Sequence, residues 1–173
     1  MLPGNDPAPD FSDPLGLLKA CHQRILGFCD LLEKVNDHLQ QHELDDDARQ
    51  AIGRILHYFT TAGKLHHLDE EQDVFPLLID QSLKMADIIH HLKQDHLQLD
   101  SAWAQLEPLL SKPETIESDP DFSDKVATLC TTYRNHIRKE EDEFLSTAQH
   151  ILGNDQLKLL GKNMKKRRET AVF

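Results

Sequence analysis

Apolar residues along this chain recur at alternating steps of three and four, the spacing that gathers side chains on one face of an α-helix. The first stripe runs through Leu15, Leu18, Ile25, Cys29 and Leu32. It follows an Asp13-Pro14 pair that suits a helix start, a capping aspartate with proline at the first helical position. A second stripe, Ile52, Ile55, Phe59 and Ala62, follows the run Asp45-Asp46-Asp47, which offers N-caps. The same steps carry it on to His66, Glu70, Asp73 and Leu77, and Pro76 is expected to kink or interrupt the helix. A third helix is predicted to begin near Asp80 to Ser82, with Ile89, Leu92, Leu99, Trp103, Leu106 and Leu110 inward and His96 on the stripe. Beyond the polar, proline-punctuated stretch 111–122, predicted as a loop, a fourth helix turns Val126, Leu129, Tyr133, Ile137 and Phe144 inward. His136 and Glu140 lie on or beside that face. Gly153-Asn154 ends it, and residues 155–168 read as a short terminal helix.

No alternating strand pattern competes with these stripes. Four amphipathic helices with mostly short connections predict an all-α fold, an antiparallel up-down-up-down four-helix bundle with a short C-terminal helix. Residues 1–12 read as a flexible or loosely docked arm, 13–152 as the bundle, and 153–173 as the C-terminal helix and basic tail. A chain of 173 residues is long enough to enclose one sizeable core.

Charge narrows the partners. The net charge is −11, and the segment Lys162–Glu169 carries a local +4, leaving −15 on the remainder. An acidic body argues against nucleic acid as a partner. The basic run reads as a solvated helix end favoured by the helix dipole. Cys21, Cys29 and Cys130 show no CxxC spacing, so they indicate neither a disulfide framework nor a thiolate zinc site. No stretch approaches the ~20 apolar residues that span a bilayer, and the first ten residues are polar and proline-rich rather than signal-like. The expected location is the cytoplasm, without membrane attachment.

Eleven histidines change the picture more than charge does. Each predicted helix places one on its apolar stripe: His22, His66, His96 and His136. Two are followed four residues later by a glutamate, His66 by Glu70 and His136 by Glu140, which puts each pair on one helical face about 6 Å apart along the axis. The arrangement repeats, since His22 precedes His66 by 44 residues and His96 precedes His136 by 40. Two helical hairpins, each supplying a lone histidine and a His-x-x-x-Glu pair, would present four imidazoles and two carboxylates at the centre. A single histidine on an apolar face is commonly a hydrogen-bonded core residue. A buried glutamate without a partner instead costs several kcal/mol or becomes protonated, and a coordinated cation would compensate it.

Four histidines and two glutamates, without thiolate, exceed the four ligands of one structural zinc. They suit two cations joined by carboxylates, iron before manganese or zinc. A solvent-derived oxo or hydroxo bridge would make each iron about five-coordinate and leave room for a small exogenous ligand.

The chain resembles the hemerythrin-like, HHE cation-binding domains. The resemblance rests on Asp13-Pro14-Leu15 leading to His22, on His66-His67-Leu68-Asp69-Glu70-Glu71-Gln72-Asp73-Val74-Phe75-Pro76, on Asp95-His96, and on His136-Ile137-Arg138-Lys139-Glu140-Glu141; it covers roughly 13–150. It implies a di-iron site that binds dioxygen or nitric oxide, with His22, His66, His96 and His136 as terminal ligands and Glu70 and Glu140 as bridges. Members of that family act in oxygen carriage or sensing, iron sensing, or repair of damaged iron centres. One departure stands out: oxygen carriers of the family have a fifth histidine four residues before the third-helix ligand, where this chain has Leu92. His91 could reach the site only through a local helix bulge; His90 and His91 read as surface or outer residues. Register leaves a second choice, because His67 and Glu71 form the same i,i+4 pair; the stripe through Ile52 and Phe59 selects His66. His38, His42, His57 and His150 lie off the seam, and Glu71 and Glu141 read as solvated residues or as acceptors that orient ligand histidines.

Three functions follow. The first is a di-iron protein that senses, stores or handles dioxygen or nitric oxide, with any output read by a separate protein partner or a second copy in a homodimer. The second is an enzyme or an iron donor for damaged iron centres. Ferritin-like oxidases need Glu-x-x-His, which occurs nowhere in this chain, so an enzyme is disfavoured. The third is an interaction module whose metal, such as zinc, is structural.

Overall fold

The computed structural model describes residues 8–173, and among them every regular element is helical. Helix α1 (Pro14–Gln41) begins where Asp13 accepts a hydrogen bond from the Gly16 backbone at 3.1 Å. A Cβ at Gly16 would fall 2.1 Å from that carboxylate, so the cap and the glycine depend on each other. Helix α2 (Asp46–Thr60) is capped by Asp45, which accepts from the Ala48 amide at 2.8 Å. Its continuation is broken at Thr61 and resumes as α3 (Ala62–Asp69), a π-helical turn (Glu70–Val74) and α4 (Phe75–Leu78). Helix α5 (Leu83–Ser111) starts on Ser82, whose hydroxyl accepts from the Met85 amide at 3.0 Å. The predicted loop contains a 3₁₀ turn (Pro113–Ser118). Helix α6 (Phe122–Lys139) runs through a second π-helical turn (Glu140–Leu145) into α7 (Ser146–Ile151), and α8 (Asn154–Thr170) follows.

Helix α1 packs on α2 and α6, and α5 packs on α6 and α2. Their buried faces form two apolar clusters. One gathers Ile25, Cys29, Ile55, Phe59, Leu99, Trp103, Leu129 and Tyr133. The other gathers Leu18, Val74, Phe75, Ile89, Leu92, Phe144, Leu160 and Met164. Burial of these side chains drives the association, at about 1.5–3 kcal/mol for each fully buried aliphatic or aromatic side chain. No helix of the described residues is long and apolar enough to cross a membrane.

Two sequence expectations need correction. The stripe drawn through Asp73 and Leu77 is displaced by one residue: Val74, Phe75 and Leu78 are buried instead, while Asp73 and Leu77 are only half-buried. The π turn causes this, because it holds an extra residue and rotates everything after it. The same wide turn accommodates Pro76, which has no N–H to donate; the Phe75 amide bonds back to the Glu70 carbonyl, five residues away.

Only part of the basic run is a solvated end: Lys162, Lys165 and Lys166 are exposed. Arg167 and Arg168 both bond the carboxylate of Asp69, which is fully buried between His66 and Glu70 in sequence. Arg167 also reaches Gln72 and Asp73.

Residues 1–7 of the expected arm lie outside the described residues. Of the remainder, Phe11 is half-buried and stacks under the Arg168 guanidinium at 5.7 Å. Its carbonyl approaches Gly161 so closely that a Cβ there would lie 1.9 Å away.

Candidate metal centre

Between the two apolar clusters lies a polar layer that each helical arm helps to build. α1 supplies His22, α3 supplies His66 and leads into Glu70, α5 supplies His96, and α6 supplies His136 and leads into Glu140. All six side chains are buried. Both glutamates open a π turn at the same point of the His-x-x-x-Glu motif, in two otherwise different sequences. The His-to-Glu step remains helical, so carboxylate and imidazole stay on one face. The widened turn afterwards brings Val74-Phe75 and Phe144-Leu145 in behind them.

The donor atoms converge in two groups, each within 4.8 Å of one another: His22, His66, Glu70 and Glu140, and Glu70, His96 and His136. Glu70 divides its oxygens between them, with Oε1 at 2.7 Å from His66 Nε2 and Oε2 at 2.9 Å from His96 Nε2. Glu140 Oε2 lies 3.2 Å from His22 Nε2 and 3.3 Å from His136 Nε2. Two ligand atoms about 2.1 Å from one ion and at right angles to it are about 3 Å apart. The observed separations would suit ligands sharing a cation, as they also suit direct hydrogen bonds.

An outer ring of acceptors fixes the imidazoles. A carboxylate can only accept, so the nitrogen facing it must carry the proton. His22 Nδ1 donates to Glu141 at 3.0 Å, His96 Nδ1 to Glu71 at 2.7 Å, and His136 Nδ1 to Asp95 at 3.2 Å. In these three rings the Nε2 lone pair is left pointing at the centre, as metal binding requires. His66 is the exception: its buried Nδ1 has no hydrogen-bond partner, and the side chain acting on the ring is the Cys21 thiol. Cys21 directly precedes His22 as Asp95 directly precedes His96, so thiol and carboxylate occupy corresponding places in the two hairpins.

Electrostatics show what the layer lacks without an ion. Burial pushes His22 down, but Glu140 and Glu70 outweigh it and raise it to about 11. Burial likewise opposes, and Glu70 overcomes, in raising His66 to about 10 and His96 to about 9. Burial would push the Glu70 carboxyl up, yet His66, His22 and His96 hold it well below its usual range. Of the eleven buried side-chain polar atoms without a hydrogen-bond partner among the described residues, eight belong to these six residues. Such orphaned atoms are uncommon in folded proteins, and a cation set would satisfy all of the eight except His66 Nδ1, whose ring turns Nε2 towards Glu70.

The remaining histidines divide clearly. His90, His91, His42, His57 and His150 are exposed and His38 is half-buried; His91 Nδ1 donates to the Asp87 carbonyl on its own helix. The bulge that would have brought His91 inward is absent from α5. Glu71 and Glu141 are the orienting acceptors that the sequence offered as one of two readings. His67 was missed. Its ring stacks on His96 at 4.2 Å and burial holds it well below its ordinary range. Asp95 was missed as the partner of His136, and Cys21 as a side chain acting on His66. The usable signal was adjacency, since each precedes a stripe histidine.

A model of the hemerythrin HHE cation-binding domain matches residues 13–148, which hold all six converging residues. The chain belongs to that family. The family binds metal cations, and this buried layer of histidines and glutamates could hold one. A relative of uncharacterized function from Haemophilus influenzae is 32% identical over 161 residues, covering 92% of each chain. The HHE match stops short of α8, which nevertheless supplies the two arginines bound to Asp69.

Proposed function

We propose that this HHE protein is a non-haem di-iron protein that binds a small ligand such as dioxygen or nitric oxide, in oxygen or redox sensing, storage or stress response. In this reading His22 and His66 hold one ion, His96 and His136 hold the other, and Glu70 and Glu140 bridge them. The observation that carries it is the division of Glu70, one oxygen to each histidine group. The four arms form an antiparallel up-down-up-down bundle around the pair.

Nitrogen and carboxylate donors without thiolate favour iron; zinc or manganese are substitutes. When bound, two ferrous ions together offer the two electrons that dioxygen can accept. The protein's own residues do the rest. Glu71, Glu141 and Asp95 keep three imidazoles oriented, and the two glutamates neutralise charge. Phe59 and Leu99 on one side, and Phe75, Leu92 and Phe144 on the other, keep water out. Leu92 stands where oxygen carriers place a fifth histidine, which favours sensing or handling over bulk carriage. A cytoplasmic partner or a second copy of the chain reads the state.

The test is metal content with an absorption spectrum, on protein loaded anaerobically with ferrous iron and then exposed to air or nitric oxide. Two irons per chain, one for each donor group, with a visible change that reverses on deoxygenation or differs with nitric oxide, is the expected result. A colourless zinc site, or iron that ignores both gases, would reduce the protein to a structural metal module. Loaded iron that passes to a damaged iron centre would point to the donor role.

A further inference from the structure

Beside the His96–His136 group stands His67, which belongs to neither donor group. Its Nε2 is buried without a hydrogen-bond partner. Its ring lies nearly parallel to His96 at 4.2 Å, 6.3 Å from His136 and 6.0 Å from the buried Tyr133. A buried imidazole nitrogen with nothing to bond is costly unless a ligand satisfies it. The His22–His66 side offers no such free group beyond the two ligand rings; its neighbour is Cys21, which acts on His66 itself.

We propose that His67 is the hydrogen-bonding residue of an exogenous-ligand pocket on the His96–His136 side. It takes a small linear anion or diatomic molecule whose far atom accepts a hydrogen bond. This rests on the two-cation reading above. The bound end of the ligand faces the ion at His96 and His136, the far end meets His67, and Tyr133 closes the wall behind it. His67 is then a specificity residue, favouring ligands that gather negative charge at the far atom over neutral apolar ones.

Azide is the probe, titrated into the iron-loaded full chain, with iron content measured on the same samples. In His67→Phe the iron content should match the wild type while azide binds about tenfold more weakly, the effect of one hydrogen bond. His67→Gln, which retains a donor, should recover part of the loss, and His91→Phe on the exposed face should change nothing. If His67→Phe does not fold, His67→Ala, which only removes atoms, is read the same way. Unchanged azide affinity would overturn the proposal. So would the loss of one iron, which would make His67 a metal ligand. A wild type that holds fewer than two irons is a separate result, which overturns the two-cation reading and this proposal with it.

Discussion

Consider the removal of Arg167 and Arg168, both as alanine. The Asp69 carboxylate they hold is fully buried, while the two guanidinium side chains are only 15% and 26% exposed. Arg168 contributes contacts of 2.7 Å and 3.2 Å, and Arg167 bonds the same carboxylate directly. A hydrogen bond to a charged group contributes about 1.5–3 kcal/mol, and stripping a buried charge of every partner costs about 3–5 kcal/mol. Arg168→Ala alone leaves Arg167 in place and should cost about 1–2 kcal/mol. The double variant should cost about 3–5 kcal/mol, a large fraction of the ~5–15 kcal/mol that holds an ordinary domain together. Adding Asp69→Ala to the double variant should restore part of that, because no unpaired charge then remains. Denaturant unfolding of the metal-free chain, followed by helical circular dichroism, measures all three. A double variant within about 1 kcal/mol of the wild type, or a triple variant no better than the double, would refute the reasoning.

Alkaline pH should weaken the metal-free protein. His22, His66 and His96 are raised to about 11, 10 and 9 from the ordinary 6.5, so their contribution is complete below 6.5 and is lost as pH rises through about 9–11. Glu70 is depressed, so its contribution is present above its ordinary value and lost as pH falls through the lower folded one. Thermal melts at pH 6 and pH 10 should show a drop in the metal-free chain and little in the loaded one; equal drops in both would contradict this. Cys21→Asp should give His66 the acceptor that the other three rings already have, slowing metal loss to a chelator by about 10-fold or more. Unchanged release kinetics would mean that the missing acceptor does not matter.

The centre was more legible in the sequence than its surroundings. His22, His66, His96, His136, Glu70 and Glu140 could be placed together because a helical face has a fixed period, and carboxylates on an apolar face demand compensation. The period failed after Glu70, where the π turn shifted burial from Asp73 and Leu77 to Val74 and Leu78. Nothing in local composition announces such a turn. The Arg167 and Arg168 contacts with Asp69 were hidden for a different reason: they join residues about a hundred positions apart, and a basic run has the same composition whether it is solvated or docked. His67 escaped because register forced a choice between it and His66. The structure instead uses both, one facing the donor group and one stacked beside it.

The paired π turns make these two stretches tolerant in length as well as in identity. Each turn holds one residue more than the α-helical repeat needs, which is why Val74 and Leu78 are buried where the unbroken period would have placed Asp73 and Leu77. Deleting a single residue such as the exposed Gln72 would return the turn to ordinary α-helix and bring Val74, Phe75 and Leu78 onto the unbroken period, so they would stay inside. Deleting two would instead rotate all that follows by about 100° and expose them together. In relatives that share this centre, a one-residue gap directly after either glutamate should therefore mark a turn that has reverted to α-helix.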